Sequence, residues 1–258
     1  MSGRDGRGPD GASGLVRESG GGGRMRAGCG LTAVFAMFAA LAGAPSAWAG
    51  SWLLGFSPAD TLPPGAFSAI SGTGGQLSSV GDPRTTSFTP FLAHAGIRVG
   101  LADGWDIGYR LATVALPFTA VGPSLGSEID VKHRLTPKTS PWQVALVGGV
   151  GYAYLDMQNR SRSAWSPGAD LIISRQVAPK YTVFADLRYL YTFIESGQQT
   201  SGANHFQAFG PGLGVKVGLT KMVSLTPEVG VFDFQGRLTG DRADGLGVQY
   251  GAVLGFRF

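Results

Sequence analysis

Thirteen charged residues lie on the polar side of stretches in which apolar and polar residues alternate. They are Arg98, Arg110, Lys132, Arg134, Arg188, Lys216 and Arg257 against Asp106, Glu128, Asp130, Asp170, Asp186 and Glu228. Seven positive and six negative charges nearly cancel. A set facing one narrow enclosed space would have to pair internally, whereas a conducting path more often carries one sign. The second chemistry on offer is hydrolytic. His205 could orient a water or hydroxyl, with Asp233 or Asp156 behind it and Ser201 nearby in sequence. No G-x-S-x-G, Walker loop or H-E-x-x-H accompanies them, and the glycine clusters at 148–151 and 210–214 lack G-x-G-x-x-G spacing. His94 and His133 read as structural. Neither a metal site nor a cofactor is expected, and no catalytic residue is assigned.

The elements that must position these charges are strands. In the stretch 105–116, Trp105, Ile107, Tyr109 and Leu111 alternate with Asp106, Gly108, Arg110 and Ala112; 125–135 and 181–193 repeat the pattern. Ten strands are expected, near 65–71, 88–100, 105–116, 125–135, 142–155, 166–177, 181–193, 206–219, 222–233 and 246–258, with eight or twelve as alternatives. Most exceed the five or six residues usual in soluble proteins and match the roughly 9 to 11 that cross a bilayer. Short connections (102–104, 136–141, 178–180, 220–221) alternate with longer ones (72–86, 117–124, 156–165, 194–205, 234–245). Turn entries at Leu135, Val177 and Leu219 recur every 42 residues, about one hairpin. Trp105, Trp142 and Tyr181 at one end, and Tyr152, Tyr154, Tyr191, Phe193 and Phe206 at the other, suggest two aromatic girdles. Pro90, Pro167, Pro211 and Pro227 break the pattern. The first three fall near long-loop ends, where pairing can stop early; Pro227 implies a bulge. Inward glycines such as Gly149, Gly151, Gly212 and Gly214 fit either close backbone packing, the favoured reading, or a narrow passage. Period alone also admits a soluble sandwich with its charged face outward.

Composition narrows the class. Of 258 residues, 43% are hydrophobic and 15% charged, too apolar for disorder. The single cysteine, Cys29, excludes a disulfide scaffold. Residues 1–49 hold five of the 21 Lys/Arg and three of the 17 Asp/Glu, leaving 16 against 14, and such near-neutrality gives no reason to expect a nucleic-acid partner. Arg24 and Arg26 precede the apolar run 31–41, and small residues follow at Ala47 and Ala49. This order reads as a signal peptide over 25–49, cut between Ala49 and Gly50. Residues 1–24 read as a disordered extension or a misassigned start, 50–64 as a short N-terminal segment and 65–258 as the folded domain.

Reading back from the end, Phe258, Phe256, Leu254, Ala252, Tyr250 and Val248 share one face of the last strand. A terminal aromatic that closes an alternating strand resembles the assembly signal of bacterial outer-membrane β-barrel proteins, a superfamily with small OmpA/OmpX-like and porin-like members. The resemblance implies an all-β, antiparallel up-and-down transmembrane barrel with short periplasmic turns and longer extracellular loops. It also implies export to the outer membrane and insertion by the barrel-assembly machinery, with Tyr250, Phe256 and Phe258 as the signal. Outer-membrane lipid would surround the wall, and Arg160, Arg162, Arg237 and Arg242 could meet lipopolysaccharide phosphates. Ten strands lie near the filled end of barrel sizes. The leading expectation is therefore a non-enzymatic structural or surface-interaction barrel with a largely filled, charged lumen. A narrow solute channel is the alternative, and a rim hydrolase acting on lipid A or peptides the second.

Overall fold

The computed structural model describes residues 55–258 apart from 115–123, 158–159, 196–203, 239–240 and 243. The expected signal peptide, its expected cleavage at Ala47, Ala49 and Gly50, and Cys29 lie outside the described residues, as does Ser201. Ten long strands form the wall: β1 (Phe67–Val80), β2 (Thr85–Ala102), β3 (Trp105–Val114), β4 (Ser124–Arg134), β5 (Gln143–Met157), β6 (Arg160–Ala178), β7 (Tyr181–Ile194), β8 (Asn204–Gly218), β9 (Val223–Leu238) and, after the two-residue β10 (Asp241–Arg242), β11 (Gly245–Arg257). Each pairs antiparallel with its neighbours in sequence, and β11 pairs with β1, so the sheet closes on itself. Closure leaves no unpaired edge, the condition for strands in lipid.

The faces separate the barrel from the sandwich. On β7, Phe184, Asp186, Arg188 and Leu190 are buried, while Val183, Leu187 and Tyr189 are exposed. On β3 and β4 the charges of Asp106, Arg110, Glu128, Asp130 and Lys132 are buried, and Tyr109, Ile129 and Val131 face outward. Charges inside and a greasy wall outside invert the soluble arrangement.

Three of the five expected long loops are largely strand instead. Residues 72–80 continue β1, which pairs with β11 as far as Val80 and turns into β2 through Gly81–Arg84. Met157 pairs with Arg160, and β9 runs on to Leu238 before the small hairpin with β10. Glycine and serine made these stretches look like turns, but a strand paired on both sides supplies backbone bonds that override weak local propensity. The wall thus rises well beyond spanning length, to 19 residues in β6.

The prolines do not end strands early. Pro167 pairs with Val150 of β5 while the ladder to β7 skips from Trp165 to Gly168. Pro211 pairs with Leu187 of β7, and the ladder to β9 skips from Phe209 to Gly212. Pro227 pairs with Ala252 of β11 and is passed over between Glu228 and Leu225 on the β8 side. A residue without an N–H sits where one ladder lapses and the other holds. At Pro90 the β1–β2 register shifts between Gly74 and Gln76.

Candidate functional site in the lumen

The segment 55–63, expected only as part of a short N-terminal piece, lies inside the barrel. It enters at the short-turn end, where Gly100 accepts a bond from Gly65 and donates to Ala66. A Cβ on Gly100 would lie 2.0 Å from the Pro63 carbonyl oxygen, so only glycine admits the segment there. The wall holds it by side chains. Asp106 accepts from the Leu62 N–H at 3.1 Å, Ser174 from that of Ala59 at 3.1 Å, and Glu228 from that of Phe56. Lys132 donates to the Ser57 hydroxyl and to the Pro58 carbonyl. At the mouth Lys216 pairs with Asp60 at 3.1 Å. Burial raises the Asp60 carboxyl, and the positive charges of Lys216 and Lys132 outweigh it, holding the group below its ordinary value. Gly55, the first of the described residues, lies among the charges of Arg188 and Arg110. Phe56 is buried against His94 and, like Gly55, takes a positive φ, a strained choice for a residue with a side chain.

Two clusters of charge surround this plug. Arg98 bridges Asp106 and Asp130. Arg188 contacts Asp186 at 2.9 Å, pairs with Glu228, lies 3.9 Å from Asp170 and rests over the Phe232 ring. A Cβ on Gly55 would fall 2.4 Å from the Arg188 guanidinium, so the plug presses its bare backbone on that cation. Arg134 ties off the short-turn end through Asp103 and the Thr136 carbonyl. Ten of the thirteen residues named from sequence are therefore buried inside: Asp106, Arg110, Glu128, Asp130, Lys132, Arg134, Asp170, Asp186, Arg188 and Glu228. Arg98 and Lys216 are partly covered, and Arg257 is exposed at the mouth.

The opposite half of the lumen holds no such charges among the described residues. Leu190, Phe206, Phe232 and Phe234 pack together, with Gln249 donating to Gln76 at 2.8 Å and Ser166 bonded to Thr192 at 2.8 Å. Phe206 thus belongs to the filling and not to an outer girdle, because inward parity on β8 runs through Phe206, Ala208 and Gly210. The inward glycines are space for neighbours. The Phe184 ring occupies the place of a Cβ on Gly214 at 2.2 Å, and the Asp186 carboxylate that of Gly212 at 2.6 Å.

No family model and no curated sequence matches the chain. Its shape does find likenesses. An outer membrane channel from Pseudomonas putida F1 superposes with TM-score 0.50 at 10% identity, covering 80% of this chain and all of that one. The outer membrane protease OmpT from Escherichia coli gives 0.48 at 10% identity, covering 79% and 100%, and the translocator domain of the autotransporter NalP from Neisseria meningitidis 0.41 at 12%, covering 78% and 91%. The fold is that of a bacterial outer-membrane β-barrel.

The outer face of the barrel carries aromatic residues at both ends. Trp105 stacks on His133 at 3.9 Å beside the short turns, with Trp142 and Tyr181 also exposed at that end, and Tyr154, Trp165 and Phe193 ring the other. Tyr250 is exposed on the last strand, and Phe258 stands 5.8 Å from Phe67 where β11 meets β1. The rim candidates do not assemble. His205 faces Arg237 across the ladder and stacks on Tyr191, whereas Asp233 lies opposite Phe209, four residues along β8, and accepts from Gln235 at 2.6 Å. Asp156 pairs with Ser161 in the β5–β6 ladder, away from both. What sequence reasoning missed is the plug. Its signal was faint: Pro58, Pro63 and Pro64 before the first strand, which bar regular pairing and favour an extended strap.

Proposed function

We propose that the chain is an outer-membrane barrel with a structural or surface-interaction role and a lumen closed to ions in its resting form. The short turns face the periplasm, and the tall strand extensions carry the interaction surface outward. The observation that supports this reading is the filling of the lumen: a strap fastened by five side-chain attachments in one half, and packed aromatics with voids of only about 10 Å³ in the other. Barrels of this size are filled by their own side chains, and here a segment of chain is added. In planar bilayers the purified barrel should give no unit steps at any voltage. Regular steps would overturn the reading.

A second reading, a gated narrow channel, draws on one feature. The strap is bonded to side chains and takes no place in the β-ladder, so it could leave without unzipping the wall. It requires that removing residues 50–63 switch conductance on. If that variant stays silent, the aromatic half closes the barrel by itself.

A further inference from the structure

Between the strap and the wall of β1, β8, β9 and β11 lies a cavity of about 220 Å³ that opens beside the exposed β8–β9 turn. Six cations line it (Arg98, Arg110, Lys132, Lys216, Lys221 and Arg257) against two carboxylates, Asp60 and Asp106. Both carboxylates are already engaged, Asp106 by Arg98 and Asp60 by Lys216. Arg110, Lys132, Lys221 and Arg257 have no carboxylate within ion-pair distance among the described residues. Lys132 spends its protons on Ser57 and Pro58.

Arg110 is the telling one. It is 4% exposed, its Nε and Nη1 find no hydrogen-bond partner among the described residues, and its Nη2 reaches the Gly55 carbonyl only at 3.5 Å. Glu128 stands opposite it in the ladder, and His94 lies on the neighbouring strand. A buried guanidinium with idle donors is costly unless an acceptor meets it. Elsewhere in the lumen the balance is reversed, with Arg188 serving three carboxylates.

We propose that this cavity binds a phosphate oxyanion, with Arg110 at its floor and Lys221 and Arg257 at its mouth. Guanidinium suits phosphate, and converging cations beside low-dielectric walls concentrate small anions. The volume is below the roughly 300 Å³ at which pockets for drug-sized ligands begin, so it fits a phosphate group with little attached. Free phosphate and the headgroup of a phospholipid in the facing leaflet share that chemistry.

The test uses the full barrel in neutral detergent micelles at fixed ionic strength, titrated calorimetrically with inorganic phosphate and, separately, with glycerol phosphate as the headgroup probe. Saturable binding of either is expected, with chloride giving none. Tighter binding of glycerol phosphate points to lipid, and equal or weaker binding to free phosphate. Arg110→Met should abolish the signal. Should that variant fail to fold, the Lys221→Gln/Arg257→Gln pair, at exposed positions, should fold normally and bind at least tenfold more weakly. No saturable binding of either probe overturns the proposal, as does unchanged affinity in Arg110→Met or in the mouth pair.

Discussion

The two halves of the lumen are filled by opposite means. Toward the short turns the space is taken by a strap of chain and by charges that bind one another through it; toward the far rim it is taken by phenylalanines and a few bonded amides and hydroxyls. The charged half is specific: Arg98 holds Asp106 and Asp130, Arg188 holds Asp186 and Glu228, and losing either cation strands its carboxylates. The apolar half is forgiving of chemistry but not of volume. A barrel filled only with aromatics would be tight yet would have nothing to hold a strap.

The sharpest way to break this comparison is to delete one anchor from each half. Arg188→Met should cost about 4 kcal/mol, because Asp170, Asp186 and Glu228 would be left buried around an apolar side chain. Phe206→Ala should cost about 3 kcal/mol through the cavity it leaves. Urea unfolding in micelles, followed by loss of the folded band on unheated gels, measures both. The decisive readout is rescue. Adding Glu228→Gln to Arg188→Met should recover part of the loss, since one stranded charge is gone, whereas it should leave Phe206→Ala no better. Equal behaviour of the two backgrounds would mean that the halves are not distinct.

The same contrast explains what could be read from the sequence. The wall was legible because alternation has a period of two and the charges on one face had to be inside once the other face was greasy: Glu128, Asp130, Lys132 and Arg134 interleave with Ile129, Val131 and His133. The near-neutral sum of those charges pointed to internal pairing. The loops and the strap were not legible. Residues 72–80 carry serines and glycines that are strand only because β11 and β2 flank them, and residues 55–63 have no periodicity at all. Their position is decided by Asp106, Ser174 and Glu228, at separations of 44, 115 and 172 residues. Phe206 was misplaced by one step of parity, the error that a period of two punishes most.

A smaller effect tests whether β8 glycines are fitted to the side chains that lean across them. Gly214→Ala places a methyl into the Phe184 ring and should cost about 1–3 kcal/mol. Gly148→Ala, where nothing lies within 4 Å of the added Cβ, should be close to neutral. Trimming the ring with Phe184→Leu should relieve the first and not touch the second. If both glycines tolerate alanine equally, the β7–β8 wall is looser than the packing implies.

The smallest effect belongs to the mouth, where strap and wall meet water. Asp60 is about half exposed, so its pair with Lys216 is worth at most about 1 kcal/mol. Its sign against pH is nevertheless fixed. A carboxyl held below its ordinary value in the folded chain contributes while pH stays above the ordinary carboxylate range near about 4, and loses that contribution as pH falls through the depressed value. Asp60→Asn should therefore loosen the strap slightly at neutral pH and make no difference in strong acid. Amide exchange of Ala59 and Leu62, the neighbours whose N–H groups are bonded to the wall, reports it: faster in Asp60→Asn than in the parent at pH 7, with the ratio closing toward one as the carboxylate is protonated. A ratio that stays constant across that range would assign the anchoring to Asp106 and Ser174 and leave the Lys216 pair as surface decoration, in which case the strap is fastened by the charged interior alone and the mouth is free to exchange its ions.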